Sequence, residues 1–386
     1  MFDRSMGEAN AQHILIPIHD FSLGGTERIA FRMAGEWGRR GRRVTLLAGA
    51  SDGPMAPQVP HGVGIEVLAE PVPRSTFSRM RLGAAMAGPA KALAPDAVFL
   101  IGNFHFAVAR ALKRAMPEVP ILGKVSNPLI PAALGTGQLA RTLAAWWSGG
   151  VDRLVAMSPD LRDELSQFVP SQRIVAIRDP FLDDDVPVVA RSGRPSSPLS
   201  LLFVGRLEPQ KNPLLALATA ARLRDLGTAF TLTIVGGGAM EQAVHKEVAR
   251  LGLADYVTLH GHIANPASFF READMLLMTS RYEGVPAVIG EALVAGMPFV
   301  ASPCTAWLQG LVARNPTLGM LVSAHDADQL AEAVQQRAAQ PFPQVEAIEQ
   351  AIGGHRLSAA ADAYLDLFDR QIGIDLPNAQ ACLPGR

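Results

Sequence analysis

Two glutamates, Glu283 and Glu291, stand eight residues apart around the predicted start of a helix. An apolar strand, Met275–Thr279, precedes them; Gly284 allows close backbone approach, and Pro286 suits the first helical position. Free amides at a helix start bind anions, and carboxylates accept hydrogen bonds from hydroxyl groups. The segment therefore predicts a site for a ligand that is anionic at one end and rich in hydroxyls at the other, as a nucleotide-sugar is.

A pair of cations follows another apolar strand. Gly205 ends that strand, Arg206 comes next, and Lys211 stands five residues later at a helix start. An arginine that chelates two oxygens and a lysine that acts as a point charge can together hold a diphosphate without a metal ion. Two solvated surface cations would give the same pattern.

Two glycine-rich turns also join a strand to a helix. In the first, Gly24 and Gly25 would let backbone amides approach a phosphate or a sugar. The second contains Gly236, Gly237 and Gly238 and lacks both the full G-x-G-x-x-G spacing and an acid placed for a ribose, which argues against NAD binding. This second turn is explained equally by a nucleobase above it and by a purely structural role.

Composition limits the class of protein. The chain has 386 residues, 48% of them hydrophobic and 18% charged, with a formal charge of −1, which indicates two globular domains and argues against a dedicated nucleic-acid binder. Its two cysteines, Cys304 and Cys382, lack metal-ligand spacing and favour a reduced, cytoplasmic setting. The leader Met1–Gln12 has no apolar core typical of a secretion signal, and no segment is predicted to span a bilayer.

Short apolar runs alternate with helical patterns, as in parallel sheets. The predicted strands are His13–Ile18, Val44–Ala48, Ile65–Leu68, Ala97–Ile101, Ile121–Val125, Arg153–Ala156, Ile174–Ile177, Leu201–Val204, Thr231–Val235, Val257–His260, Met275–Thr279, Phe299–Ala301 and Met320–Val322. The predicted helices are Thr26–Arg40, Arg79–Leu93, Phe106–Arg114, Pro159–Leu165, Pro213–Leu226, Met240–Leu251, Pro286–Ala295, Ala327–Ala339 and Leu357–Arg370.

This alternation predicts an α/β protein with two doubly wound, Rossmann-like domains that face each other across a cleft. We expect an N-terminal domain over 1–182, an exposed linker over 183–199 and a second domain over 200–356. The helix at 357–372 has no strand after it, and the tail 373–386 has no periodicity and is predicted to be mobile. Ligands of such sheets bind outside the carboxyl ends of the strands.

The motifs, in this order, resemble the family 4 retaining glycosyltransferases of the GT-B fold. The resemblance runs from about residue 13 to 370; the Arg/Lys pair and the two glutamates are its specific part, and the glycine turns agree with it. It implies that the second domain holds a nucleoside-diphosphate sugar and that the last helix crosses back to the N-terminal domain. The N-terminal domain would then bind the acceptor.

The resemblance also implies a role for each motif. Arg206 and Lys211 would bind the diphosphate, Glu283 the hydroxyls of the transferred sugar and Glu291 the ribose, so the catalytic set is Glu283, Arg206 and Lys211. The remaining donor-binding residues would be Gly24, Gly25, Gly205, Gly237, His262, Ile263, Gly284 and Val285, with His262 and Ile263 beside the base.

One loop departs from the family pattern. Many relatives carry a histidine near the reacting sugar, after a strand that corresponds to Ile121–Val125, whereas this chain has Asn127 there. An asparagine can bond a hydroxyl but cannot carry a proton. His19 and His105 follow other strands and are alternative candidates near the acceptor or sugar, although a lone histidine is more often structural.

The diphosphate clamp predicts transfer without a metal ion or a cofactor. The resemblance implies a hexosyltransferase that retains the anomeric configuration and acts in polysaccharide or lipopolysaccharide assembly. The acceptor would be a saccharide or a lipid-linked saccharide. A sugar-nucleotide epimerase of the same fold is an alternative, but no further acid/base groups are identifiable. A non-catalytic sugar-binding or partner-binding module is another, although such a module need not keep Arg206, Lys211, Glu283 and Glu291.

Basic and aromatic residues of the first domain also suggest peripheral contact with the cytoplasmic face of the inner membrane. They are Arg79, Arg81, Arg110, Lys113, Arg114, Trp146 and Trp147. Basic residues with interfacial aromatics suit an anionic bilayer. A solvated helix face above buried tryptophans is the other interpretation, and it is preferred for Trp146.

Overall fold

The computed structural model describes residues 10–22, 24–75 and 78–372. The chain forms two compact units. Unit 1 contains the described residues up to Pro180 together with Leu357–Ile372, and unit 2 contains Phe181–Arg356. Leu23 and the predicted mobile tail, 373–386, lie outside the described residues.

Unit 1 is built on a parallel sheet of seven strands in the order β3-β2-β1-β4-β5-β6-β7. The strands are β1 His13–Ile18, β2 Arg43–Ala48, β3 Gly64–Val67, β4 Ala97–Leu100, β5 Ile121–Val125, β6 Arg153–Ala156 and β7 Ile174–Ala176. The direction of winding reverses between β1 and β4, so the crevice where such sheets bind ligands lies beside the ends of these two strands.

Helices cover both faces of this sheet. They are α1 Gly25–Arg39, α2 Ser78–Leu93, α3 Phe106–Ala115, α4 Gln138–Trp147, α5 Pro159–Leu165 and the last helix of the chain, α13 Leu357–Ile372. Alternate strand residues bury opposite faces: Ile14 and Ile16 pack with α1 and α13, whereas Leu15 packs with α2 and α3. This period of two explains why the strands are apolar throughout.

The α13 helix is part of the core of unit 1. Trp37 of α1 is fully buried and contacts Phe99, Tyr364 and Phe368 edge-on, with ring centroids 5.3–5.9 Å apart. The indole Nε1 donates to the carbonyl of Ala361 at 3.3 Å. Residues from both ends of the chain therefore make one core.

Unit 2 has a parallel sheet of six strands in the order β10-β9-β8-β11-β12-β13. The strands are β8 Leu199–Val204, β9 Phe230–Val235, β10 Val257–Leu259, β11 Met275–Met278, β12 Phe299–Ala301 and β13 Gly319–Leu321. The helices are α6 Pro213–Asp225, α7 Glu241–Arg250, α8 Ala267–Glu272, α9 Ala287–Val294, α10 Ala306–Arg314, α11 Ala327–Ala338 and α12 Val345–Ile352. Here the winding reverses between β8 and β11.

Every strand predicted from the sequence is present, with bounds shifted by no more than two residues. The sequence interpretation missed the helices α4, α8, α10 and α12, which are short and follow irregular segments. Residues 183–198 precede β8 within unit 2. They are mostly exposed, as predicted, but Val189 N donates to Val294 O at 2.7 Å and Arg191 bonds the carbonyls of Phe270 and Ala295. The segment is thus held along unit 2.

Candidate functional site

The loops after β8 and β11 meet at the switch point of the unit 2 sheet, and they carry the predicted cations and the first glutamate. Lys211 Nζ lies 2.5 Å from Glu283 Oε1. The side chains are 20% and 10% exposed, so both charges are largely removed from water. A lysine has three N–H donors, and two remain for a further anion.

The loop that carries Lys211 is anchored to the loop that follows β11. The hydroxyl of Thr279 donates to the carbonyls of Lys211 and Asn212, at 3.1 and 2.9 Å. The Gln210 side chain donates to Tyr282 O at 3.0 Å. Asn212 has a φ of +52°, a left-handed conformation that asparagine tolerates, and Pro213 then begins α6. The lysine is therefore positioned by backbone contacts that do not depend on its charge.

Arg206 follows β8 directly, as predicted, but its guanidinium points to an acid of its own loop. Its Nη1 lies 2.7 Å from Glu208 Oε2, and its side chain is 57% exposed. An exposed pair of this kind contributes little to stability and exchanges partners at low cost.

The start of α9 provides amide groups without acceptors. Gly284 and Val285 are buried, yet neither amide has a hydrogen-bond acceptor within the described part of the chain. Buried amides are nearly always paired, so these two groups indicate a place for an external acceptor. The dipole of α9 favours a negative charge at the same position.

Two residues that the sequence interpretation did not select hold this segment in place. Cys304 O accepts a hydrogen bond from Glu283 N at 3.1 Å, and the hydroxyl of Thr305 donates to Gly284 O at 2.6 Å. Burial, with Glu283 nearby, raises the pKa of Cys304 to about 12, so the thiol stays neutral. Their position after β12, the strand next to β11, was the signal that could have identified them.

The glycines after β9 have different reasons to be glycine. Gly236 and Gly238 have φ of +146° and +153°, and a Cβ on Gly236 would lie 1.9 Å from Gly205 O. These two residues are required by the close packing of the turn. Gly237 has ordinary φ, and a Cβ there would lie 3.6 Å from His262 Cβ. The structure thus places Gly237 beside His262, and a role for these two residues at a nucleobase stays a prediction.

The remaining residues of unit 2 that were predicted to bind the sugar donor lie in or next to the loops after β8, β10 and β11. Ile263 follows His262 and is half-buried, and Gly205 packs under the Lys211 side chain, with a would-be Cβ 3.5 Å from Lys211 Cδ. Glu291 lies half-buried on α9, one residue after Gly290. A Cβ on Gly290 would lie 2.0 Å from the Phe181 ring, so this face of the helix is packed.

In unit 1, the predicted glycine pair opens α1. Gly24 is the N-cap in an extended conformation, and Gly25 is the first helical residue. A Cβ on Gly25 would meet no described atom within 4 Å, and its φ is not in the left-handed region. Neither packing among the described residues nor conformation demands glycine here, which favours the predicted approach of a ligand.

His19 and Asp20 end β1 and are both buried. His19 Nε2 is hydrogen-bonded to Val72 O at 2.8 Å, and burial lowers the pKa of His19. Burial raises the pKa of Asp20, but hydrogen bonds from Arg74 and Ser22 outweigh it and bring that pKa to about 2. Arg74 contacts both carboxylate oxygens, at 2.5 and 2.7 Å. Asp20 and Arg74 were not predicted.

His105 follows β4, on the other side of the same switch point. Burial, with the charges of Arg74 and Arg79, lowers the pKa of His105 to about 4, so the imidazole is neutral near pH 7. Its Nδ1 is sealed from solvent and has no partner in the part of the chain that the structure describes. The structure brings His19 and His105 near the same two arginines.

Asn127 lies in the loop after β5 and is held by a residue that the sequence interpretation did not select. Asn103 is buried; its Oδ1 accepts from Ser126 Oγ at 3.1 Å and from Asn127 N at 3.3 Å. Its Nδ2 donates to Asn127 O at 3.3 Å. Asn103 thereby ties the loop after β4 to the loop after β5.

Two family models match the chain. A glycosyl transferase 4-like domain matches residues 24–180, and a glycosyl transferases group 1 domain matches residues 198–340. The chain belongs to the family 4 glycosyltransferases. The membership predicted from Glu283, Glu291 and the Arg206/Lys211 pair is thus confirmed.

Solved structures confirm the predicted GT-B fold. Sucrose-phosphate synthase from Thermosynechococcus elongatus superposes with a TM-score of 0.75 at 18% identity, over 93% of this chain and 98% of that one. Anabaena HepE in complex with UDP and glucose superposes with a TM-score of 0.72 at 18% identity, over 93% of this chain and 100% of that one.

The curated relatives are glycosyltransferases. The D-inositol 3-phosphate glycosyltransferase of Streptomyces avermitilis is 33% identical over 216 residues, which are 51% of this chain and 45% of the relative. The D-inositol 3-phosphate glycosyltransferase 1 of Catenulispora acidiphila is 29% identical over 323 residues, 76% of this chain and 74% of the relative. The match to the Streptomyces protein thus spans less than half of that relative.

The described residues lack a membrane-spanning helix and a metal-binding cluster. None of the helices there is both long and apolar enough to cross a membrane. Those residues also contain no group of three or more histidine, cysteine or acidic side chains placed to hold a metal ion. Metal independence stays a prediction.

Proposed function

We propose that this family 4 glycosyltransferase moves a hexosyl group from a nucleoside-diphosphate sugar to a saccharide or lipid-linked saccharide, with retention and without a metal ion. The observation that carries the proposal is the buried pair Gly284 and Val285, whose amides have no acceptor among the described residues and which follow Glu283, the partner of Lys211. A diphosphate supplies the oxygens that these groups lack. The HepE complexes contain UDP with glucose or UDP-glucose, which makes uracil the first base to test.

In the proposed reaction the bond between the anomeric carbon and the diphosphate oxygen breaks, and a bond from that carbon to an acceptor hydroxyl forms on the same face. The acceptor proton passes to the departing diphosphate. Lys211 and the amides at the start of α9 stabilise the charge that grows on this leaving group. Glu283 accepts hydrogen bonds from sugar hydroxyls, and Glu291 from the ribose.

Thermal shift and donor hydrolysis, measured with UDP-, GDP- and ADP-sugars in the presence and absence of EDTA, test the proposal. We expect one nucleotide to raise the melting temperature and its sugar to be hydrolysed slowly, with no effect of EDTA. Lys211→Ala should abolish both effects, whereas Lys246→Ala, an exposed lysine of α7, should change neither. A strict need for a divalent cation, or no response to any nucleotide, would contradict the proposal.

The acceptor is proposed to belong to cell-surface polysaccharide or lipopolysaccharide assembly at the cytoplasmic face of a membrane. The supporting feature is the outer face of α4, where Leu139, Leu143 and Trp146 recur at helical spacing and are 62%, 37% and 55% exposed. Trp146 is therefore exposed, and the interpretation that preferred a buried Trp146 is wrong. Arg110 lies over its ring, 5.2 Å from the centroid.

An anionic bilayer fits this face because cations surround the apolar stripe: Arg110 at the ring, Arg141 on the helix, and exposed Arg114 on α3. Lys113 does not take part, since its amine bonds Asp152 and Val119 O. Co-sedimentation with phosphatidylglycerol vesicles should fall about tenfold for Leu139→Ser with Leu143→Ser. Unchanged binding would remove the membrane proposal and leave the donor proposal intact.

A further inference from the structure

Arg79 and Phe104 form an exposed pair at the switch point of unit 1. Arg79 lies in the first turn of α2, and its Cζ is 4.8 Å from the centroid of the Phe104 ring. Phe104 belongs to the turn after β4 and is 48% exposed. A guanidinium thus lies over an aromatic side chain that is about half exposed to solvent.

Among the described residues, no acid pairs with Arg79 to compensate its charge. Arg74, its cationic neighbour, is already paired with both oxygens of Asp20. Arg79 itself makes no hydrogen bond or ion pair with any described residue. Burial, and then the charge of Arg74, lower the pKa of Arg79, and no acid acts in the opposite direction. The position therefore carries an excess positive charge that is partly withdrawn from water.

The groups around Arg79 would not weaken the binding of an anion. His105 and His19 lie near these arginines and are neutral near pH 7, and the buried carboxylate of Asp20 is held by Arg74. An anion at Arg79 would meet a guanidinium, which can offer two parallel N–H donors, without a carboxylate competing for it.

We propose that Arg79 and Phe104 form an acceptor subsite for a saccharide that carries a phosphate or carboxylate group. The Arg79 guanidinium binds the anionic group, and the exposed part of the Phe104 ring packs against the apolar face of the sugar, which is formed by its C–H groups. The subsite selects anionic over neutral acceptors. This inference rests on the proposed function, in which unit 1 holds the acceptor.

Calorimetric titration of the full chain with glucose 6-phosphate, glucuronate and glucose tests the subsite, with excess UDP present to occupy unit 2. We expect the wild type to bind the two anionic sugars at least about tenfold more tightly than glucose. Arg79→Gln should abolish this preference, and Arg79→Lys should retain part of it. Phe104→Ala should weaken all three sugars by a similar factor.

Arg81→Gln is the matched control, because Arg81 is an exposed arginine of the same helix that has no contact with Phe104. Equal effects of the two arginine substitutions, or a wild type without preference for the anionic sugars, would overturn the proposal. Loss of the preference in Lys211→Ala but not in Arg79→Gln would place the anion in unit 2 and overturn it as well.

The two proposals fail separately. If UDP does not bind and no donor is hydrolysed, the proposed function fails while the anionic preference at Arg79 can still be measured. If the donor is hydrolysed normally and Arg79→Gln leaves the preference unchanged, only the subsite fails. Melting temperatures of the exposed variants Arg79→Gln and Phe104→Ala should stay within a few degrees of the wild type, which excludes unfolding as the cause.

Discussion

Lys211 and Glu283 are separated by 72 positions in sequence and form an ion pair of 2.5 Å between Nζ and Oε1. The residue proposed to bind the diphosphate, Lys211, and the residue proposed to bind the sugar, Glu283, are therefore in direct contact before any donor binds. Each side chain neutralises the other, so a substitution at one changes the field that the other presents to the donor.

Glu283→Gln separates the two roles. The amide can still bond sugar hydroxyls, but it no longer neutralises Lys211, so the lysine presents its full charge to the diphosphate. We expect the Kd of the nucleoside diphosphate to stay constant or to improve, while transfer falls by on the order of 100-fold. Single-turnover transfer and calorimetry measure the two effects. Glu272→Gln, an exposed acid of α8, serves as control; a parallel loss of binding would refute the division of roles.

Lys211→Met leaves a buried carboxylate without its partner. We expect the free energy of unfolding of unit 2 to fall by about 1–3 kcal/mol, the usual cost of an unsatisfied buried polar group. Adding Glu283→Gln should recover part of that loss, because the orphaned charge is then absent. Urea denaturation of the two single variants and the double variant gives the coupling energy. Strict additivity would show that the ion pair contributes nothing to the fold.

Two glycine substitutions should separate packing from ligand approach. Gly236→Ala forces a φ of +146° on alanine and brings its Cβ to 1.9 Å from Gly205 O, so the melting temperature should fall by several degrees. Gly25→Ala meets no described atom within 4 Å and should leave the melting temperature unchanged while it weakens donor binding. Differential scanning calorimetry with titration of the donor checks both. A Gly25→Ala variant with normal donor affinity would assign that glycine no role in binding.

Asn103→Ala should act on the acceptor and leave the donor unaffected. The substitution removes the bonds from Asn103 to Ser126 and Asn127, so the loop after β5 loses its tie to the loop after β4. We expect the acceptor KM to rise about tenfold, with an unchanged rate of donor hydrolysis. Asn265→Ala, an exposed asparagine of unit 2, is the control. If donor hydrolysis also falls about tenfold, Asn103 stabilises unit 1 in general and does not act on the acceptor specifically.

His105 should make stability depend on pH in a defined window. Its folded pKa of about 4 lies below the usual 6.5, so the unfolded chain takes up the proton first as the pH falls. The stabilisation is full above pH 6.5 and is lost progressively between 6.5 and about 4. His105→Gln should flatten this part of the curve. Unfolding free energies of the two proteins, measured across the window, decide the matter; parallel curves would mean that His105 titrates normally.

The strands could be predicted because burial on both faces of a parallel sheet leaves long apolar runs such as His13–Ile18. The donor-binding loops could be predicted because a glycine, a lysine and a glutamate come within seven residues of the ends of such runs. The pairing of Lys211 with Glu283 could not, since strand order within a sheet is a tertiary property that no local spacing records. The sequence interpretation thus selected Lys211 and Glu283 but did not predict that they contact each other.

The residues that support the site were harder to find than those that belong to it. Cys304 and Thr305 act through a backbone carbonyl and a hydroxyl that bond the Glu283–Gly284 backbone, roles that many residue types could fill. Arg74 and Asp20 lie 54 positions apart, and their bidentate contact depends on the loop geometry of unit 1. The exposure of Trp146 was also misjudged, because an apolar residue at the end of a helix is more often buried.

The contact of Trp37 with Tyr364 and Phe368 has a consequence for biosynthesis. On the ribosome, all of Phe181–Arg356 must be translated before Tyr364 and Phe368, which bury the Trp37 indole, are synthesised. At 5–20 residues per second, translation of this segment takes roughly 9 to 35 seconds. Nascent unit 1 therefore exposes the apolar surface around Trp37 for that time, which makes it prone to aggregation, whereas unit 2 is continuous in sequence and can complete its core first.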